Sequence, residues 1–430
     1  MKKDLDRLMK KRDVDTLVVM GEPSTCRDFR YLAGPLHLTG GYVVKKRGGK
    51  PILVVGLMER DEAARSGLPV RLYSEMGWAA ARKGAKSPAH AAARFIVGML
   101  RALECGRRVA LYGTVEVGPF AAMLPHLKRC RGFEFVFEGA DSIISVARMT
   151  KDEDEIDHIR EVGRRAQMIY RAVVERFSSC RVGRGGALKY RGKPLTIGAM
   201  KRLIKKEADD LDLDVSREEV IFSAGRDAAV PHSRGDLEHV LRVGETIVFD
   251  FCPCEPGGGY FFDMTRTFCV GEVPERARTL WRQVLEVQTA CLDALKPGAR
   301  ADRYDKLCSK MFERLGHPTP RSKPGTQEGY VHGLGHGIGL QIHERPRLSV
   351  AAGAGERLKP GMVFTVEPGL YYPDEGVGVR LEDVVAIHAD GSIENLTPFS
   401  KEILVPLRKR RVTRSGRGTV KGGASRKTRG

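Results

Sequence analysis

Nowhere in the 430 residues does an apolar run reach the ~18 to 20 residues that a helical bilayer crossing needs. The amino terminus, MKKDLDRLMKKRD, is charged where a secretory leader would be apolar, so a cytoplasmic protein is expected. Nucleotide chemistry has no visible foothold, since the chain lacks a Walker-type phosphate loop and the glycine fingerprint of dinucleotide-binding proteins. No internal repeat stands out. Cysteine is present but unorganised. Its nine copies, an odd number, are scattered from Cys26 to Cys308 without a C-x-x-C pair, which excludes a disulfide framework and a zinc site of that type. Cys252 and Cys254 form a lone C-x-C.

What is present is an ordinary globular composition, 42% apolar, in a chain longer than a single core usually supports. Two domains are the natural expectation. The net charge of +19 suggests a nucleic-acid partner until its distribution is considered. Residues 408–430 carry ten Lys or Arg and no acid, so this tail alone supplies 10 of the 19 and leaves 9 for the rest. Rich in Gly, Ser and Thr, the tail reads as disordered and solvated, with at most a weak, salt-sensitive attachment to RNA or another polyanion.

The first ~145 residues read as a small α/β domain, with boundaries good to a few residues. A helix with Leu5, Leu8 and Met9 on one face leads into an apolar strand over 16–20. Strands over 42–46 and 51–55 are joined by a turn with Gly48 and Gly49. A helix over 88–104 and strands over 109–112 and 133–137 follow. Thr150 and Glu153 fit a capping box, after which Ile156, Ile159, Val162, Ala166, Ile169 and Val173 recur at helical spacing. That helix opens the second domain. Further helices are expected near 196–209, 274–295 and 301–315, and strands near 219–223, 246–252, 261–268, 362–367 and 378–386.

The chemistry lies in acids and histidines set into apolar strands. Asp250 interrupts Thr246-Ile-Val-Phe-Asp-Phe-Cys252, and Asp263 interrupts Phe261-Phe-Asp-Met-Thr-Arg-Thr-Phe268. The intervening turn, with Pro256 and three glycines, predicts a hairpin that sets two carboxylates side by side. Neighbouring buried carboxylates are costly unless cations resolve both desolvation and repulsion; structural acids satisfied by Arg or backbone donors are the plainer alternative for either one alone. His332-Gly-Leu-Gly-His-Gly-Ile-Gly339 argues against a helix and permits close backbone approach to a ligand, which makes His336 a credible metal ligand. His343 follows in Ile342-His-Glu-Arg-Pro346, and Glu367 ends the strand Met362-Val-Phe-Thr-Val-Glu367. Arg380 and Glu382 are two apart, which places them on one face of a strand. Four carboxylates and one imidazole suffice for two divalent ions held mainly through oxygen.

These motifs resemble the pita-bread metallopeptidases, a family that includes prolidase, aminopeptidase P and methionine aminopeptidase, over nearly all of residues 148–407. The resemblance implies a mixed α/β (α+β) protein with a creatinase-like amino-terminal domain, 1–147, a pita-bread catalytic domain, 148–407, and the basic tail. By motif, Asp250, Asp263, His336, Glu367 and Glu382 match the five metal ligands. His232, in Val230-Pro-His-Ser233, and His343 match two substrate-contacting histidines, the second at the scissile carbonyl. His332 and Arg380 resemble the proline-directed branch, with Arg380 either pairing a substrate carboxylate or holding the catalytic frame. Arg27-Asp-Phe-Arg-Tyr-Leu-Ala33 resembles the corresponding segment of prolidases and of creatinase, which shares the fold but lacks the metal ligands.

The implied activity is hydrolysis of Xaa-Pro dipeptides by a homodimer with two divalent ions per subunit. Mn²⁺ or Co²⁺ is expected, with Fe²⁺ or Zn²⁺ compatible. Glu367 would ligate and shuttle a proton. An aminopeptidase acting on longer Xaa-Pro peptides is the alternative, and a non-catalytic binding protein a remote one. The step from Asp250 to Asp263 is longer by two than the family's usual spacing, an insertion expected to extend the hairpin turn. Cys252, inside that stretch, is read as structural because a thiolate is a soft ligand for an oxygen-rich site.

Overall fold

The computed structural model describes residues 3–216, 219–350 and 356–408. Six amino-terminal strands form one mixed sheet: β1 Thr16–Gly21, β2 Gly41–Lys46, β3 Ile52–Val55, β4 Val70–Leu72, β5 Arg108–Gly113 and β6 Glu134–Val136, in the spatial order β4-β3-β2-β1-β5-β6. β1 is continuously apolar because both of its faces are covered. Leu17 and Val19 pack with the helices Lys3–Lys11 and Arg27–Ala33, whereas Val18 and Met20 face the helix Pro88–Ala102. Ser87 caps that last helix by accepting from the His90 N–H, and Pro88 fits its first turn.

The helix Glu153–Ser178 opens the second unit with the expected apolar face buried, each such side chain worth about 1.5–3 kcal/mol. Its start differs from expectation. The cap is Asp152, which accepts from the Glu155 N–H at 3.1 Å while Glu155 accepts from the Asp152 N–H at 3.0 Å. Several acids here satisfy the pattern; the pair used is the one that turns Glu155 inward to the Tyr260 hydroxyl, 2.6 Å away.

A small sheet of β7 Arg181–Val182, β8 Leu188–Tyr190 and β9 Lys193–Pro194 flanks two larger assemblies. In the first, helices Glu153–Ser178 and Ile197–Asp210 cover β10 Ile221–Ala224, β11 Ile247–Phe251, β12 Met264–Val270 and β20 Leu404–Val405. In the second, helices Glu275–Asp293 and Asp302–Arg314 cover β13 Gly335–Gly337, β14 Glu344–Leu348, β15 Val363–Val366, β18 Asp383–Ile387 and β19 Ile393–Asn395, ordered β14-β13-β15-β18-β19. The hairpin of β16 Gly369–Tyr372 and β17 Val377–Arg380 completes the unit. This is the mixed α/β pita-bread architecture. Among the described residues no helix is long and apolar enough to cross a membrane. All of the basic tail but Arg408 lies outside the described residues, and Arg408 donates its N–H to the Ser178 carbonyl at 2.9 Å.

The strand expected over 378–386 is two strands in two sheets. β17 pairs with β16 and β18 pairs with β15, and the chain changes sheet at Leu381 and Glu382. The cause is Arg266, 1% exposed. Its guanidinium donates to the Glu382 carbonyl at 2.7 Å, the Asp383 carboxylate at 2.8 Å and the Ser400 carbonyl at 3.0 Å. An acceptor that a continuing ladder would use is thus taken by a side chain.

The two units meet around Arg148, which bonds Asp28 at 3.0 Å, Gln341 at 3.0 Å and Glu344. Lys151 reaches the other oxygen of Glu344 at 2.9 Å. Burial raises the Glu344 pKa, and the two cations more than offset it, leaving the carboxyl below its usual range. Removing one member of such a buried set strands the others. Arg148→Met should therefore destabilise the protein by about 3–5 kcal/mol, read as a lower urea midpoint. A loss below about 1 kcal/mol would show that solvent or a rearranged Lys151 replaces the guanidinium.

Candidate metal centre

β11 carries Asp250 between Phe249 and Phe251, which both pack in the core, so the pleat turns Asp250 to the opposite face. β12 runs antiparallel to it with Thr265 opposite Asp250. The expected hairpin forms, but the strand begins at Met264 and Asp263 precedes it. The longer connection is absorbed where Cys254 bridges to both Asp214 and Phe261 and in a turn at which Gly257 and Gly258 take φ of 68° and 76°.

His336 is the central residue of β13. A Cβ on Gly335 would lie 2.1 Å from the Thr365 carbonyl, and one on Gly337 would lie 2.1 Å from that of Arg345. Gly333 and Gly335 line the cavity, and the close approach that Gly335 and Gly337 also permit is between backbones. It lets β13 pass between β14 and β15 and presents the imidazole to the cavity. Glu367 follows β15 directly. Glu382, at the change of sheet, accepts from the Thr265 hydroxyl at 2.7 Å. Arg380 and Glu382 do share a face, because both bond Thr265 rather than because one strand carries them.

Eight of the nine site residues named from the sequence line one cavity of about 340 Å³. His232, Asp250, Asp263, His336 and Glu367 are among its lining residues. His332, His343 and Arg380 complete the set, and Glu382 lies behind, 2% exposed. Donor atoms of Asp263, His336 and Glu382 fall within 4.8 Å of one another. The His336 Nε2 is 3.6 Å from Asp263 and 3.4 Å from Glu367. Cys252 also lines the cavity; burial, then Asp263 and Asp250, push its thiol well above the ordinary range.

The electrostatics follow from burial. Asp263 and Glu382 are driven well above the usual carboxyl range by desolvation and then by each other's neighbouring acids. Burial raises Glu367 to about 8. The histidines move the opposite way: burial lowers His336 to about 3 and His332 to about 4, and lowers His343 too. His336 is thus neutral at pH 7. Its Nδ1 donates to the Gly337 carbonyl at 3.2 Å, which leaves an Nε2 lone pair facing two carboxylates. The Asp263 Oδ1 is buried without a partner. A lone pair and several carboxyl oxygens gathered in one place, whose protons a cation would displace, are the donor set of a divalent cation.

Residues not singled out from the sequence hold this frame. Arg380, 3% exposed, donates to Asp250 at 2.5 Å, Thr265 at 3.1 Å, the Tyr371 hydroxyl at 2.9 Å and the Pro231 carbonyl at 3.3 Å. Tyr371 in turn donates to the His332 Nε2 at 2.9 Å, because the His332 Nδ1 is committed to the Gly333 carbonyl at 2.8 Å. Both ring nitrogens of His332 are therefore taken by the protein. Thr365 lies 3.3 Å from the Glu367 carboxylate. The signal for both threonines was alternation, since Thr265 is two after Asp263 and Thr365 two before Glu367. Arg347 lines the cavity with a guanidinium that makes no ion pair or hydrogen bond among the described residues.

The chain is 28% identical over 409 residues to the Xaa-Pro dipeptidase of Pyrococcus furiosus, covering 94% of this chain and 100% of that protein. Its fold matches the Xaa-Pro dipeptidase from Bacillus anthracis with a TM-score of 0.72 at 22% identity, over 94% of this chain and 99% of that one. The X-Pro aminopeptidase from Thermotoga maritima MSB8 matches equally, with a TM-score of 0.72 at 22% identity, over 93% and 99%. The sequence model of metallopeptidase family M24 matches residues 157–389, which hold every candidate metal ligand, and the protein belongs to that family of metallopeptidases.

Proposed function

We propose that the protein hydrolyses Xaa-Pro dipeptides with two divalent ions held by Asp250, Asp263, His336, Glu367 and Glu382. The observation that carries this reading is the neutral His336 lone pair and unpartnered Asp263 oxygen facing a cluster of carboxylates. A donor set of oxygens with one imidazole suits Mn²⁺ or Co²⁺, and accommodates Fe²⁺ or Zn²⁺. Such ions, when bound, supply Lewis acidity and lower the pKa of water.

The remaining chemistry falls to the chain. Glu367, which lines the cavity, takes a proton and passes it to the departing proline nitrogen. His343, neutral at pH 7, donates from its ring to the scissile carbonyl oxygen, and His232, which lines the same cavity, contacts substrate. Of the two roles open to Arg380, its bonds support that of holding the frame: four of its five N–H groups are used, one on Asp250. The unpaired Arg347 is then the cation available to a dipeptide's free carboxylate. His332 offers substrate a carbon edge rather than a nitrogen, suited to a proline ring. We also assign the chain a homodimeric state, on the family resemblance, and a reducing, cytoplasmic setting, which its nine free cysteines fit.

Ala-Pro should be hydrolysed only when a divalent ion is supplied, and Glu367→Gln should lower kcat about 10³-fold. Activity of that variant within tenfold of wild type would remove Glu367 from the proton path, and preferential cleavage of Ala-Pro-Ala would make the enzyme an aminopeptidase. A second expectation comes from linkage. Because the folded carboxyls have raised pKa values, the metal-free protein binds more protons folded than unfolded. Its stability should fall as pH rises from about 4.5 toward about 8. Cation binding displaces those protons, so the metal-induced rise in Tm should be larger at pH 8 than at pH 6. A rise independent of pH would show carboxylates already ionised before the metal arrives.

A further inference from the structure

The catalytic cavity does not end at its own walls. Ile342 and His343 are shared with a second cleft of about 580 Å³ between the two units, whose far wall comes from the amino-terminal unit. That wall presents Arg27, Asp28 and, from the junction, Arg148. Asp28 and Arg148 pair with each other at 3.0 Å and cancel. Arg27 is left without a carboxylate partner among the described residues, its one hydrogen bond going to the Ser24 carbonyl at 2.8 Å. The guanidinium lies 5.7 Å from the centroid of Phe261, which also lines the cleft. Phe261 stands two residues before Asp263, a step of about 6.6 Å along an extended chain. One half-buried cation without a carboxylate partner among the described residues therefore lines the cleft that shares Ile342 and His343 with the catalytic cavity.

Of an Xaa-Pro dipeptide only the Xaa side chain varies in length and charge, so whatever extends from the cavity into this cleft is that side chain. We propose that Arg27 is a specificity-determining residue and that the preferred dipeptides carry an acidic residue before proline. The inference rests on the dipeptidase reading and adds the substrate class. The acidic side chain replaces water at the free edge of a guanidinium already oriented by Ser24 and Phe261, a charge-assisted contact in a partly enclosed cleft.

The test uses the full-length, metal-loaded enzyme and compares kcat/KM for Glu-Pro, Ala-Pro and Lys-Pro. Wild type should favour Glu-Pro over Lys-Pro by about tenfold, the scale of one charge-assisted hydrogen bond. Arg27→Gln should lower the ratio of Glu-Pro to Ala-Pro by about the same factor, and Arg27→Glu should turn the preference toward Lys-Pro. Ala-Pro turnover with no acidic preference in wild type, or a ratio that Arg27→Gln leaves unmoved, would overturn this inference alone. Failure to cleave any of the three would overturn the dipeptidase reading, and this inference with it.

Discussion

Three carboxylates line one pocket and a fourth, the buried Glu382, lies next to them, with one guanidinium bonded among them that serves Asp250 directly. Gathering Asp263, Glu367 and Glu382 around a neutral imidazole opposes folding, since each carboxyl must shed water and tolerate its neighbours. The two helix-backed sheets offset this with apolar burial: Phe249 and Phe251 on one side of Asp250, Phe364 and Val366 behind Thr365 and Glu367. The pleat makes the compromise possible, because each strand gives alternate side chains to the core and to the pocket.

What keeps the acids apart and correctly aimed is a layer of hydroxyls and one arginine, not a set of ion pairs. Thr265 bonds both Glu382 and Arg380, so the change of sheet and the guanidinium are fixed by one side chain. Tyr371 passes that order to His332, whose tautomer follows from the carbonyl its other nitrogen meets. Among the described residues of the pocket, acceptors are left unmatched at Asp263 and at the His336 Nε2. That mismatch is local and surrounded by satisfied groups, which is how a cation site differs from a poorly packed core.

Much of this was legible in the sequence. Acids interrupting apolar strands and a glycine-rich turn between two of them located the hairpin, and alternating glycines around His336 argued against a helix there. The parts that were not legible depend on contacts between segments far apart in the chain. Glu382 reads as continuing the strand of Arg380 until Arg266, 116 positions away, takes its carbonyl. Tyr371 was not singled out, and only the fold brings its hydroxyl between His332 and Arg380. The glycines were read for closeness to a ligand; Gly333 and Gly335 line the cavity, while Gly335 and Gly337 are also pressed against the backbones of flanking strands, because periodicity shows that a side chain is missing but not what fills the gap. The helix start moved from Thr150 to Asp152 for a related reason: local sequence offers several caps, and a tertiary bond from Glu155 to Tyr260 chooses among them.

The amino-terminal unit acts on the site through the same few residues that attach it. Arg148 and Lys151 hold the Glu344 carboxylate, and Glu344 also accepts from the Gln341 N–H at 3.0 Å. The turn over 341–344 is thereby closed on itself and anchored to the other unit, with His343 inside it. The role proposed for His343, meeting the scissile carbonyl oxygen, needs its ring held to a fraction of an ångström, and a surface turn alone does not hold it so. Asp28, which completes the anchor, is the chain neighbour of Arg27 in the cleft wall. One short segment of the first unit thus both steadies a histidine of the catalytic cavity and sets a charge where the variable part of a substrate would pass, so the coupling of the two units bears on substrate selection as well as on stability.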